Sequence, residues 1–215
     1  MQSNRRTVLQ GMGLLSLGAL LPGRLHASPE TKAGIRAAAR TLSAQGTNAA
    51  KAVQDGQAYQ FDPTVRYPLE TGIVDPTHGH SFYFHAHRTD EYGHFHTFAR
   101  DEYGLSVHLL MISINKAGQP TALSTVNQWV TDDRHVRAAE LMKLYRRFQI
   151  SPSAFKTPAL VSMVNAILGS YASLALPLFE ERDAWVDKYR ADHGKLPYQD
   201  RSIEVISTRA INPLG

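Results

Sequence analysis

The sequence predicts an α+β fold: an antiparallel β-meander of about four or five strands, packed with N-terminal and C-terminal helices. Three observations carry that reading. Between residues 80 and 131 apolar side chains recur at period two in short segments bounded by Gly, Asn and Asp. On either side of that stretch the apolar spacing is helical, with capping residues at the starts. The strands come as one run and the helices as another, rather than in the strand–helix alternation of a parallel sheet.

Ser28-Pro29-Glu30-Thr31 starts the first helix, with Ser28 as cap and Pro29 in the first turn, and it runs to about Ser43. A short second helix spans Asn48 to Gln54 and stops at Gly56. Residues 57–79 show little periodicity and carry Pro63, Pro68, Pro76 and Gly72. They read as a long loop, a lid or a wrap around the domain. The meander follows: Phe82–His87, His94–Arg100, the almost continuously apolar Leu105–Asn115 as central strand, a turn at Lys116–Pro120, and Thr121–Thr131 as fourth strand. Asp90-Glu91-Tyr92-Gly93 recurs as Asp101-Glu102-Tyr103-Gly104, which predicts two hairpin turns of similar chemistry. Thr131-Asp132-Asp133 then caps a helix with Leu141, Leu144, Tyr145 and Phe148 on one face. Thr157 to Phe179 is uncharged, but Ser162, Asn165, Gly169, Ser170, Ser173 and Pro177 favour a buried helix on the sheet over a membrane span. Glu180–His193 is amphipathic through Ala184, Trp185 and Tyr189, and Ile203–Ile211 is a late strand at the sheet edge.

The N-terminus reads as an export signal of residues 1–27. Arg5-Arg6 precede an uncharged, largely apolar stretch from Thr7 to Pro22, too short and too Gly-rich for a membrane span. Asn4-Arg5-Arg6-Thr7-Val8-Leu9-Gln10 resembles the twin-arginine export consensus, with cleavage expected after Ala27. The expected location is the periplasm or another exported site. Residues 28–215 then form one α+β domain, with the His-rich meander over about 80–131 and C-terminal helices over about 132–193. The signal holds three arginines and no acid, so its removal leaves 20 basic against 19 acidic residues. No nucleic-acid surface is expected from that balance. With 0 cysteines, disulfides, thiolate catalysis and Cys-ligated metal are excluded.

Seven of the 10 histidines fall between His78 and His108, four of them paired as His85-Ala86-His87 and His94-Phe95-His96. The x, x+2 spacing puts both rings of a pair on one face of a strand. With His87 opposite His94, His85 faces His96 and Tyr83 faces Phe98. The opposite face then carries Phe82, Phe84, Ala86, Phe95, Thr97 and Ala99, which reads as the side packed on the core. Facing Cβ atoms lie roughly 4.5–5.5 Å apart, so imidazoles on neighbouring strands can share one ion.

Two resemblances bear on this segment. His80-Ser-Phe-Tyr-Phe-His-Ala-His87, Gly93-His-Phe-His-Thr-Phe98 and Asn127-Gln-Trp-Val-Thr131 look like an uncharacterised family of bacterial proteins, over about Ala38 to Thr131. That resemblance implies a recurring domain and no activity. Gly79, His85, His87 and Glu91 are similar to the first cupin motif, but Phe98 stands where that motif has Gly, and its second motif is absent. In geometry alone, a His-x-His strand with a third His beside it is similar to a carbonic-anhydrase-type site with three His ligands and an open position.

The expected ligands are His85, His87, His94 and His96, with His80, His108 and Asn127 as secondary candidates. Nitrogen-rich ligation suits zinc, copper, nickel or non-haem iron. Glu91 and Tyr83 are the catalytic candidates, although turn and cap chemistry is the favoured reading of Asp90 and Glu91. The expected function is an exported protein binding a mononuclear transition metal, a metalloenzyme of hydrolytic or oxygen-using type. The alternatives are a periplasmic metal carrier, a small-ligand-binding module, or a structural histidine cluster without metal.

Overall fold

The computed structural model describes residues 32–214. The signal segment and the Ser28 helix start lie outside the described residues. Helices α1 (Ala33–Ala44) and α2 (Ala49–Gln54) come first, and the Asn48 side chain caps α2 by accepting from the Lys51 amide. A seven-stranded antiparallel sheet follows in the order β1-β3-β4-β5-β6-β7, with β2 also paired to β3. Its strands are β1 (Asp62–Tyr67), β2 (Ile73–Val74), β3 (Ser81–Ala86), β4 (Gly93–Arg100), β5 (Ser106–Ile114), β6 (Pro120–Val126) and β7 (Val205–Ala210). Between β6 and β7 lie α3 (Gln128–Thr131), α4 (Ala138–Arg147), α5 (Pro158–Ser170) and α6 (Ala172–His193).

The architecture is α+β as expected, with more strands than the periodicity shows. The two extra strands are inside residues 57–79, which form the sheet edge rather than a lid. Pro63 lies in β1, where an edge strand tolerates a missing amide hydrogen. Its pairing is irregular, with Asp62 opposite Ala86 and Tyr67 opposite Phe84, so no clean alternation is written there. The Tyr67 hydroxyl accepts from the Gln60 amide and donates to the Ala58 carbonyl, anchoring the segment.

One face of the sheet carries Phe82, Phe84, Phe95, Ala99, Ile112 and Leu123, all in the core shared with the helices. Burying each such phenylalanine contributes about 1.5–3 kcal/mol. The pairing of β3 with β4 differs from the expected register by two residues: His85 faces His94, Tyr83 faces His96 and Ser81 faces Phe98. An even shift preserves every face assignment. The cause is Gly93, which belongs to β4 and not to the turn: a Cβ there would lie 2.3 Å from Phe84 Cζ and 2.7 Å from the His85 carbonyl oxygen. The Phe84 ring occupies that space.

The two identical tetrapeptides therefore do different things. Gly104 has φ +74° and closes a tight turn in which Asp101 Oδ1 accepts from the Tyr103 and Leu105 amides. In the first copy the Tyr92 amide instead donates to the Ile114 carbonyl. Neighbouring strands, not the tetrapeptide, set the difference.

Three further expectations are corrected. The fourth strand ends at Val126, because the Asn127 side chain accepts from the Gln128 amide and starts α3. Helix α4 begins at Ala138, not after Asp133; its first amide donates to Asp183 on α6. The uncharged run breaks at Tyr171 into α5 and α6, bent by 70°. The Tyr145 hydroxyl donates to the Leu168 carbonyl near that break. Among the described residues no single helix is long and apolar enough to cross a membrane.

The sheet coils strongly. Three strands separate β3 from β7, and four inter-strand steps span about 19 Å in a flat sheet. Yet Glu204, immediately before β7, lies 3.7 Å from His87 Nε2 and 3.4 Å from Arg88 Nη1. The far strands thus approach over the histidine face, which becomes the concave side.

Gly93→Ala is expected to destabilise the protein by about 1–3 kcal/mol through overpacking. Gly169→Ala, on an open helical position, should be neutral or stabilise by up to about 1 kcal/mol. Urea denaturation of both variants checks the contrast.

Candidate metal centre

β3 and β4 place His85, His94 and His96 on the concave face, with His87 just past the end of β3. His94 and His96 are fully buried, His85 is 5% exposed, and His87 sits at the rim. Neighbouring rings meet edge to face: His85 and His94 at 4.4 Å between centroids, His85 and His87 at 4.7 Å, His87 and His94 at 5.1 Å. One ring nitrogen from each of His85, His87 and His94 lies within 4.8 Å of the other two, so these three could hold a metal ion. Four ligands around zinc at about 2.0–2.1 Å need nitrogens about 3.3 Å apart, so a bound ion would draw these three rings together and take His85 Nε2 from its contact with His96 Nε2.

The second nitrogens of two rings are already tied down. His85 Nδ1 lies 3.1 Å from the Pro63 carbonyl oxygen, which can only accept. The neutral ring therefore carries its lone pair on Nε2. His94 Nδ1 is hydrogen-bonded to Glu91, and His94 Nε2 is buried without a hydrogen-bond partner among the described residues. A carboxylate on one ring nitrogen with the other left open is the outer-shell arrangement that orients metal-ligating histidine.

His96 takes a different part. Its Nε2 is 3.1 Å from His85 Nε2, and its Nδ1 is 2.9 Å from His108 Nε2. His108 reaches this face through a bulge in β5: His96 pairs with Met111 but Phe98 pairs with His108, so Leu109 and Leu110 together oppose Thr97. Thr97 Oγ1 holds the bulge by donating to the Leu110 carbonyl. The extra residue turns His108 to the same side as His96.

Two secondary candidates lie elsewhere. His80 is on the helix face, stacked on Phe148 at 5.6 Å, with Nδ1 3.1 Å from the Gln149 amide nitrogen. Asn127 donates to the carbonyls of Pro197, Asp200 and Ile203 and joins the α3 start to the β7 approach. Tyr83 adjoins the cluster, its ring 5.2 Å from His96 and 5.4 Å from His85. Glu204 and Arg88 were missed by sequence reading. They close the rim beside His87, and Arg88 Nε lies 3.6 Å from Glu91. No sequence signal joins Glu204 to a histidine so far upstream; only the coil of the sheet does.

Burial sets the protonation states. Desolvation pushes His85 down to about 4 and His108 down to about 3, and holds His94 and His96 well below the ordinary imidazole value. His87 is lowered by desolvation against the opposing pull of Glu204. Desolvation pushes Glu91 up to about 7, against a hydrogen bond from Ser113 and the charge of Arg88. It pushes the Tyr83 phenol up to about 12. The rings are therefore neutral at neutral pH, the form in which an imidazole can bind a metal.

An α+β protein with a buried imidazole triad that could hold a metal is the class these features define. The chain belongs to the family described as Domain of unknown function (DUF6969), which matches residues 30–211. The match extends well beyond the 38–131 stretch of the sequence resemblance and takes in the C-terminal helices. No curated protein matches the chain, and no solved structure does.

The lowered histidine values fix a pH dependence of stability. Unfolded histidines titrate near 6.5, so between that value and the folded values the unfolded chain binds more protons. The stability these neutral rings contribute is full above about 6.5 and is lost as pH falls toward about 4 for His85 and about 3 for His108, while Glu91, raised to about 7, contributes in the opposite sense as pH falls from about 7 to its ordinary value. Thermal melts from about 4.5, where the opposing Glu91 contribution is complete, down to about 3 should show Tm falling steadily with acidification; a flat profile there would show that the rings are solvated.

Proposed function

We propose that this is an exported protein that binds one transition-metal ion through His85, His87 and His94, with a fourth position left for an exchangeable ligand. The observation that carries the reading is His94: its Nε2 is buried without a partner while Glu91 holds its Nδ1. Leaving a buried nitrogen unpaired costs about 1–3 kcal/mol, and a cation on that lone pair removes the deficit. Neutral nitrogen ligands of this kind suit zinc first, and copper(II), nickel or iron(II) as well. Three imidazoles with an open position are the pattern of catalytic rather than structural zinc. A cation held there supplies Lewis acidity to an oxygen bound beside it, which favours a hydrolytic metalloenzyme over a carrier. Glu91 orients His94, and the Arg88–Glu204 pair guards the rim at His87, the most exposed of the three rings at 17%.

A metal-free reading has one observation in its favour. Pro63, His85, His96 and His108 form a continuous hydrogen-bonded chain that satisfies those rings without an ion. It leaves the His94 nitrogen unexplained.

Metal titration of protein purified from its own compartment decides between them. The expected result is one equivalent of tightly bound ion, with affinity lost by at least about 100-fold in His85→Ala and His94→Ala and unchanged in His193→Ala, at the far end of α6. Glu91→Gln should weaken binding about 10–100-fold. Because Glu91 titrates near 7 and the bound cation favours its carboxylate form, affinity should fall as pH drops below that value. The Gln variant should lose this step. Native protein that is metal-free and shows no high-affinity site sinks the proposal.

Export is tested separately. Cell fractionation with N-terminal sequencing is expected to find the protein outside the cytoplasm and beginning near Ser28. Full-length protein retained in the cytoplasm counts against it.

A further inference from the structure

Next to the histidine cluster a cleft of about 340 Å³ opens along the edge of the same face. That volume falls in the range of about 300–1,000 Å³ usual for small-molecule sites. Tyr83 and Phe98 form its floor, their rings stacked 5.6 Å apart and only 6% and 7% exposed, and Val74, 41% exposed, is the apolar side chain most open to it. Arg66 and Arg100 line it too, against the single carboxylate of Glu70, so the lining is net positive.

The two arginines are placed differently from the others near the site. Arg66 lies over the Tyr83 ring, 4.5 Å from guanidinium carbon to centroid. A guanidinium stacked on an aromatic face keeps its N–H edge free for a planar anion. Arg100 Nη1 donates to the Gly104 carbonyl, which uses one donor of its fork. Among the described residues neither has a carboxylate within ion-pair distance. Arg88, Arg134 and Arg137 all have such partners.

We propose that this cleft binds a small carboxylate carried on a flat apolar body, an aromatic or conjugated acid, with Arg66 and Arg100 taking the carboxylate and Tyr83 and Phe98 the apolar part. Guanidinium and carboxylate match in plane and in donor spacing. The apolar part of the lining, Val74 with the edges of the buried Tyr83 and Phe98 rings, favours an acid with an apolar body over a compact anion such as phosphate. Tyr83 is at once a wall of the cleft and a neighbour of His85 and His96. A ligand seated here is therefore one ring away from the imidazole triad, which would make the cleft the substrate side of the metal centre. The binding itself does not depend on a bound metal.

Benzoate and benzyl alcohol are the probes: the same ring, with and without the charge. Metal-free full-length mature protein is titrated with each and followed by amide chemical shifts. Benzoate is expected to saturate at least about tenfold below benzyl alcohol, with the shifts centred on Tyr83, Phe98 and Ser106. Arg66→Gln and Arg100→Gln keep most of the side-chain stem and should each weaken benzoate by about tenfold or more, since a charge-assisted hydrogen bond is lost, without changing benzyl alcohol. If a variant proves unstable, the wild-type comparison of the two probes still decides. Equal binding of both probes, no saturation, or shifts centred elsewhere overturns the proposal. Because the metal-free protein is used, failure here is separate from failure of the metal titration.

Discussion

Burying a row of imidazoles sets a cost on every ring nitrogen left without a partner, and much of the concave side follows from that cost. A neutral histidine presents one donor and one acceptor, and neither can be left in a dry interior without cost. The Pro63 carbonyl answers His85, Glu91 answers His94, and His96 lies between His85 and His108. The sheet has to coil for these rings to be buried at all, since the helices pack on its other face. The same desolvation holds the rings neutral and raises Glu91, so electrostatics and packing are one constraint here.

Two backbone details aim the site. Gly93 gives the Phe84 ring its space and so fixes which residues of β3 and β4 face each other. The bulge opposite Thr97 changes the parity of β5, which sends His108 to the histidine side while Leu110 and Ile112 stay with the core. Both act through period-two alternation: one residue of slippage exchanges the faces, two residues preserve them. The site is thus held by strands rather than loops, apart from His87 and Glu91 in the β3–β4 connection and the Arg88–Glu204 pair at the rim.

The two faces of the sheet divide the work. The helix side is apolar and supplies cohesion through phenylalanine and aliphatic packing. The concave side holds the polar groups, the neighbouring cleft and two arginines, Arg66 and Arg100, that have no carboxylate partner among the described residues. A ligand in the cleft and an ion on the triad would share Tyr83 as a common wall, which ties the two proposals to one surface without making either depend on the other.

The α+β class, the meander and the face assignments of residues 82–86 and 94–99 were legible in the sequence, because side-chain alternation is a local property that a half-core strand must write into its residues. The HxH pairs were legible for the same reason. What the sequence did not determine was non-local. The irregular pairing of β1 with β3 hides that edge strand from periodicity, and identical Asp-Glu-Tyr-Gly segments diverge because their neighbours differ. The bulge that turns His108, the removal of His80 and Asn127 to other partners, and the approach of Glu204 to His87 depend on strand order and coil. Those are decided by how distant elements share space, a constraint that only the folded chain satisfies.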